Sequence, residues 1–193
     1  MRKYNSVLVI LLIMGLLTVS SICCVAAQAD SDNDGISDTK EQQLASTYAP
    51  VMHFADGEKF FPTDLNYHIQ NSELYRKTEN TDILTEASPT ATSIAQYTTE
   101  DYYMKNKLGS GDEIAQDYQQ KRQSIGDRIY AHVTRESGTI VVQYWFFYAY
   151  NPGSLNQHQG DWEMIEIVLN ANETPQFATY AQHNSGQRAQ WQD

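Results

Sequence analysis

The chain is 193 residues long and carries 24 acidic against 13 basic side chains, a net charge of −11 at pH 7. That excess disfavours binding to nucleic-acid phosphates or anionic lipid headgroups. Its two cysteines, Cys23 and Cys24, are neighbours near the N-terminus, so no disulfide framework is expected to hold the rest of the chain.

Residues 1–29 read as a secretory signal peptide. Arg2 and Lys3 give a positive n-region, Val7 to Val19 an uncharged apolar run, and Ala27-Gln28-Ala29 a small-x-small cleavage signal. Val7 to Ala27 is also long enough to span a bilayer as an uncleaved anchor, but the Ala-x-Ala and the polar residues directly after it favour cleavage. A lipoprotein reading of Cys23 or Cys24 is weaker, because Ile22 stands where a small residue should precede the modified cysteine. Cleavage removes both cysteines and two positive charges, taking the net charge from −11 to −13 and leaving 164 residues. That length suits one domain with its own core. No second apolar run of such length follows, so no transmembrane segment is expected after cleavage.

Asp30 to Glu41 has the spacing of a twelve-residue calcium loop. Asp30, Asp32 and Asp34 would bring side-chain oxygens to one centre, and Gly35 permits the sharp turn. The Ile36 carbonyl adds a backbone oxygen, Asp38 reaches the ion directly or through water, and Glu41 closes the shell with both carboxylate oxygens. A solvated acidic linker is the bland alternative, against which the regular spacing and the placed glycine both count. With a signal peptide immediately before it, the loop lacks an entering helix. It resembles the lone DxDxDG loops of dockerin-like and thrombospondin type-3 segments more than a paired EF-hand, which implies a structural calcium site.

Residues 42–193 are expected to form an antiparallel β-sandwich, mainly β. Gln42 to Tyr48 predicts two helical turns, stopped by Pro50. Val51 to Phe61 suggests short extended pieces around the Asp56-Gly57 turn. A polar insert from about Lys77 to Gly126 reads as long loop carrying one surface helix, Glu113 to Ser124. After Asp127 the strand signal strengthens. Ile129 to Thr134 and Thr139 to Tyr150 predict a hairpin about Glu136-Ser137-Gly138, with further strands at Trp162 to Leu169 and Gln176 to Gln182. The run Tyr144-Trp145-Phe146-Phe147-Tyr148 suggests a strand buried on both faces.

A second candidate site is His158-Gln159-Gly160-Asp161-Trp162-Glu163. On a strand, Asp161 and Glu163 share a face. Ile165, Ile167 and Leu169 continue it, so the carboxylates stand where an apolar inner face reaches its rim and need a cation or donor. His158, expected just off the strand, adds an imidazole, giving three ligands for a second divalent cation, calcium or magnesium. The alternative is a core Trp162 with carboxylates paired to Lys or Arg.

These segments carry a resemblance. Tyr48-Ala49-Pro50-Val51, Glu58-Lys59-Phe60-Phe61-Pro62, Gln143 to Tyr148 and His158 to Glu163 occur in an order similar to the family named after vacuolar protein sorting-associated protein 62. The likeness runs from about Leu44 to the C-terminus, interrupted by the polar insert. More distantly, His158 to Glu163 is similar to the GHRHDWE segment of the necrosis-inducing (NLP) cytolysins, secreted β-sandwich proteins. There the first His, the Asp and the Glu help hold a divalent cation used to recognise plant membrane sphingolipids. The resemblance implies a metal site, but not the toxicity, for His158, Asp161 and Glu163, since Gly160 replaces the second His and Gln157 the leading Gly. Tyr180 to Gly186 also looks like the first family, whose members usually continue with further strands. Two readings stand: a shortened member, or a sandwich incomplete at Asp193. His183 is a weaker candidate ligand, and His53, His68 and His132 are expected to be structural or surface residues.

Three functions follow. The first is an extracellular calcium-binding module recognising a glycan or lipid headgroup at the sandwich rim. The second is a metal-dependent hydrolase using Asp161 or Glu163 as base. The third is a cytolysin-like membrane-active protein. No nucleophile elbow, phosphate loop, HExxH or cysteine centre supports the enzyme, which leaves the module first. Asn172-Glu173-Thr174 spells an N-glycosylation sequon, disfavoured by Pro175.

Overall fold

The computed structural model describes residues 29–153, 155–182 and 185–192. The stretch 1–28 and His183 lie outside the described residues. Helix α1 (Asp38–Thr47) is followed by α2 (Leu65–Gln70), β1 (Ser72–Arg76), β2 (Ile83–Glu86), α3 (Ala91–Ile94), β3 (Tyr102–Asn106) and α4 (Gly111–Ile125). Then come β4 (Tyr130–Glu136), β5 (Thr139–Asn151), β6 (His158–Leu169), β7 (Pro175–Gln182) and β8 (Ser185–Gln190). Two antiparallel sheets result, a three-stranded one ordered β2-β1-β3 and a five-stranded one ordered β4-β5-β6-β7-β8. The sheets pack together, giving the mainly β sandwich that strand spacing predicts. Gln159 helps to join them, accepting from the Asn106 amide at 2.7 Å and donating to the Gly109 carbonyl at 3.1 Å.

The β4–β5 hairpin turns on Ser137 and Gly138, both at positive φ (50° and 82°). Two successive left-handed residues are what a two-residue hairpin matched to strand twist requires. Along β5, Ile140, Val142, Tyr144 and Phe146 point to one face, where Ile167 and Leu169 of β6 and Val133 of β4 meet them. Leu44 of α1 and Ile36 cover that face and complete the main core. A second cluster forms near the other end of β5, where Ile114, Ala115 and Tyr118 of α4 pack with Phe60 and Ala149.

Two readings need correcting. The polar insert is not mainly loop: β2, α3, β3 and α4 all lie within it. Its expected surface helix is α4, which turns a buried stripe of Ile114, Ala115 and Tyr118 to the core below a Ser110/Glu113 capping box. Strand β5 is not buried on both faces throughout. Phe147 and Ala149 are buried on the second face, but Val141, Gln143 and Trp145 remain partly open.

Candidate metal centre and rim cleft

Of the expected calcium-loop ligands, the structure brings three carboxylates together and leaves Asp38 and Glu41 outside the group. Asp30, Asp32 and Asp34 have ligand oxygens within 4.8 Å of one another, a grouping no other His, Cys, Asp or Glu triad attains among the described residues. The chain reaches this arrangement through two left-handed residues, Asn33 (φ 61°) and Gly35 (φ 88°). Asp30 Oδ2 accepts from the Gly35 amide at 3.1 Å, and Asp34 Oδ1 from the Ile36 amide at 2.7 Å. Asp30 Oδ1, however, is out of contact with solvent and has no hydrogen-bond partner. A carboxylate oxygen so placed is costly unless a donor or cation meets it.

Asp38 ties off the loop. Its Oδ1 accepts from the Ser31 amide at 2.8 Å and its Oδ2 from the Ser31 hydroxyl at 2.7 Å. Those bonds hold its carboxyl below the usual range. Contact with an ion through water suits this engagement better than direct ligation. Glu41, one turn into α1, lies outside the close triad. Burial pushes its carboxyl up, as do Asp32, Asp34 and Asp38, while His132 opposes them. Asp32, Asp38, Glu41 and His132 together line an open cleft of about 440 Å³. Sequence reading assigned His132 no special role; only the docking of α1 against β4 brings it here.

The loop is fastened to the fold at three points. Ile36, 3% exposed, sits in the main core, which fixes the residue whose carbonyl is the expected backbone ligand. Asp34 Oδ2 accepts from the Arg135 amide of β4 at 2.9 Å. Lys40 pairs with Glu173, in the β6–β7 turn, at 2.5 Å. Ion binding at the loop would therefore act on the packing of the whole sheet.

The rim site is arranged differently. His158 lies on β6, not before it, and Gly160 adopts φ 71° within the strand. That left-handed residue interrupts the usual alternation, so His158 reaches Asp161, with Nε2 3.3 Å from Oδ1. His158 Nδ1 is 2.9 Å from the Asn156 carbonyl, which can only accept, so Nδ1 carries the proton. In the neutral ring Nε2 then presents a lone pair to a carboxylate oxygen. A metal ion shared by Nε2 and Oδ1 would satisfy both atoms, as would a proton between them. An imidazole whose Nδ1–H is held by a carbonyl, leaving Nε2 for the ion, is a common arrangement for metal binding.

Asp161 Oδ2 accepts from Asn151 Nδ2 at 2.9 Å. Asp161 and Glu163 both line an open cleft of about 260 Å³ with Glu58, Phe54, Tyr148 and Tyr150. Burial, followed by Glu163, Glu58 and Asp161, pushes the Tyr148 hydroxyl up to about 12. His158, Asp161 and Glu163 do not have ligand atoms all within 4.8 Å of one another among the described residues. The structure brings His158 to Asp161 and places Glu163 in the same cleft. Glu58 and Tyr148 were not singled out as site residues; the Phe60–Tyr150 contact (5.6 Å between ring centroids) draws the Glu58 loop against β5.

Compared with protein families, with curated proteins and with solved structures, the chain finds no match in any of the three. The two family resemblances accordingly rest on their short motifs alone. No helix among the described residues is long and apolar enough to cross a membrane.

Proposed function

We propose that this protein is an exported calcium-binding β-sandwich that recognises a glycan or lipid headgroup at a surface, with a second divalent cation at the rim. The observation that carries the calcium reading is the triad Asp30, Asp32 and Asp34, with Asp30 Oδ1 buried and unpartnered. Calcium supplies the missing partner, and its preference for six to eight oxygens suits carboxylates supplemented by a backbone carbonyl and water. The fastening of the loop to core, β4 and the β6–β7 turn supports a structural role for the ion.

Recognition is assigned to the rim, where carboxylates, an amide and the rings of Phe54, Tyr148 and Tyr150 border one open cleft. The His158–Asp161 contact favours a cation there. Screening the exported chain against glycan and lipid arrays, with calcium and with chelator, tests this reading. Binding without turnover is expected. Hydrolysis of a glycoside or phosphate ester, abolished by Asp161→Ala, would replace it with the metal-dependent hydrolase.

A further inference from the structure

The five-stranded sheet has a second face, turned away from the calcium loop and the main core. On it Tyr130 of β4, Trp145 of β5 and Trp162 of β6 line a concavity of about 410 Å³ by themselves. Tyr130 and Trp145 are direct cross-strand partners, and Trp162 pairs with Phe147 on the next strand. Trp162 lies 5.8 Å from Tyr130 at an interplanar angle of 62° and 6.3 Å from Trp145 at 82°. The Trp162 ring is thus strongly inclined to both of the others, forming one wall of a cup instead of part of a flat platform. The buried Phe147 ring backs Trp162 at 5.1 Å, yet Trp162 remains 43% exposed.

The shape and chemistry of the cup select among ligands. A pyranose stacks on one flat ring and needs hydrogen-bond partners for its hydroxyls. Here the Tyr130 hydroxyl accepts from the Leu65 amide at 2.9 Å and keeps one proton to donate, while Trp145 Nε1 is directed at Gln143 Oε1, 3.4 Å away, so few polar groups are left for a sugar's several hydroxyls. What the walls mainly offer is π-surface. Inclined π faces suit a rounded cation without hydrogen-bond donors, which is how aromatic cages hold quaternary ammonium groups. Among the described residues, four rings have a Lys or Arg over them, Tyr75, Tyr67, Phe61 and Phe177, and none belongs to the cup. Beside Tyr130, Arg128 and Asp64 pair at 3.5 Å, leaving that flank without net charge. The chain's net charge of −11 favours a cation and disfavours an anionic membrane.

We propose that the cup of Tyr130, Trp145 and Trp162 receives the trimethylammonium group of a choline headgroup displayed by a zwitterionic lipid surface. The inference takes the lipid branch of the surface-recognition reading and rests on it, but uses neither the calcium loop nor the rim cleft.

The test titrates the full exported chain, in calcium, with tetramethylammonium, choline and ammonium chlorides at equal ionic strength, following tryptophan fluorescence. Vesicles of phosphatidylcholine, phosphatidylethanolamine and phosphatidylglycerol follow in a sedimentation assay. Saturable binding of tetramethylammonium and choline but not ammonium is expected, with phosphatidylcholine preferred to both other lipids. Trp162→Ala should weaken choline binding by about two- to fivefold or more, and Trp162→Phe should retain most of it. Unchanged calcium-dependent melting of Trp162→Ala would show that the fold survives. Equal binding of ammonium and tetramethylammonium would overturn the proposal. So would choline binding with no phosphatidylcholine preference, binding of a trimethyllysine peptide in place of the vesicles, or a Trp162→Ala variant altered only in oligomeric state. A chain that ignores tetramethylammonium yet binds a glycan on the array would sink the cup and leave the surface-recognition reading standing.

Discussion

The two ends of β5 belong to different kinds of structure. At the Thr139 end the sheet is covered by aliphatic side chains, and the acidic cluster beside it is drawn from one short segment, Asp30 to Glu41. Near the Asn151 end the packing is aromatic, with His68, Ser72 and Asn106 buried in the neighbouring elements. The acidic cluster there draws on Glu58 as well as β6. The first arrangement is a local acidic cluster which, on the proposed reading, would hold an ion and fasten the fold. The second makes an open cleft whose charges depend on strand register and on a distant loop.

The largest effect expected on this comparison comes from the loop's anchor. Ile36→Ala removes a buried side chain from the main core and should destabilise the protein by about 2–5 kcal/mol, with weaker calcium binding as well. Chemical denaturation in calcium measures it. A loss below about 1 kcal/mol, on the order of a tolerated exchange, would mean that the loop is only laid on the sheet.

Acid should strike the other end. His68 is 1% exposed, with Nδ1 3.1 Å from the Tyr118 hydroxyl and its ring 4.9 Å from that of Phe147. Burial pushes it down to about 4. A depressed folded value means that this contribution is fully present above the unfolded value, about 6.5, and is lost as pH falls toward 4. The loss is on the order of 3 kcal/mol by pH 4. Stability measured over that range should fall less steeply in His68→Gln than in the wild type. Parallel curves would remove His68 from the account.

Two smaller predictions separate the acidic clusters. Glu41→Gln should raise the melting temperature slightly in chelator, because burial and three neighbouring carboxylates disfavour its charge. The same change should reduce the gain on adding calcium. Melts under both conditions read these opposite signs, and a shift in one direction under both would remove Glu41 from the site. Asp161→Asn should cost about 1 kcal/mol or less, since its contacts with His158 and Asn151 lie at an open rim. It should also abolish any cation-induced change in the His158 ring-nitrogen NMR signals. Wild-type signals that do not respond to calcium or magnesium would remove the metal from the rim.

Legibility in the sequence followed the same division. The convergence of Asp30, Asp32 and Asp34 could be read because these carboxylates, the left-handed residues and the core anchor lie within twelve consecutive positions. The rim was half legible. His158, Asp161 and Glu163 lie within six consecutive positions, but the turn of His158 toward Asp161 depends on backbone geometry at Gly160. Glu58 arrives through tertiary packing. The three-stranded sheet was missed because its strands lie in a polar stretch, with Ile83 and Leu84 about half exposed and Leu74 and Asn106 buried. The aromatic run of β5 was read as burial on both faces, whereas the fold leaves Trp145 on an open face.

The central claim is that an ion at Asp30, Asp32 and Asp34 fastens the chain to the sheet. The direct measurement is a set of thermal melts, with excess calcium and with chelator, on the wild type and on Asp32→Asn/Asp34→Asn. An ion bound only to the folded state contributes about 2.7 kcal/mol at a hundredfold excess over Kd. At roughly 2–4 °C per kcal/mol for a domain of this size, chelation should lower the wild-type melting temperature by several degrees and the double variant's by much less. Identical wild-type melting in calcium and chelator would contradict the claim.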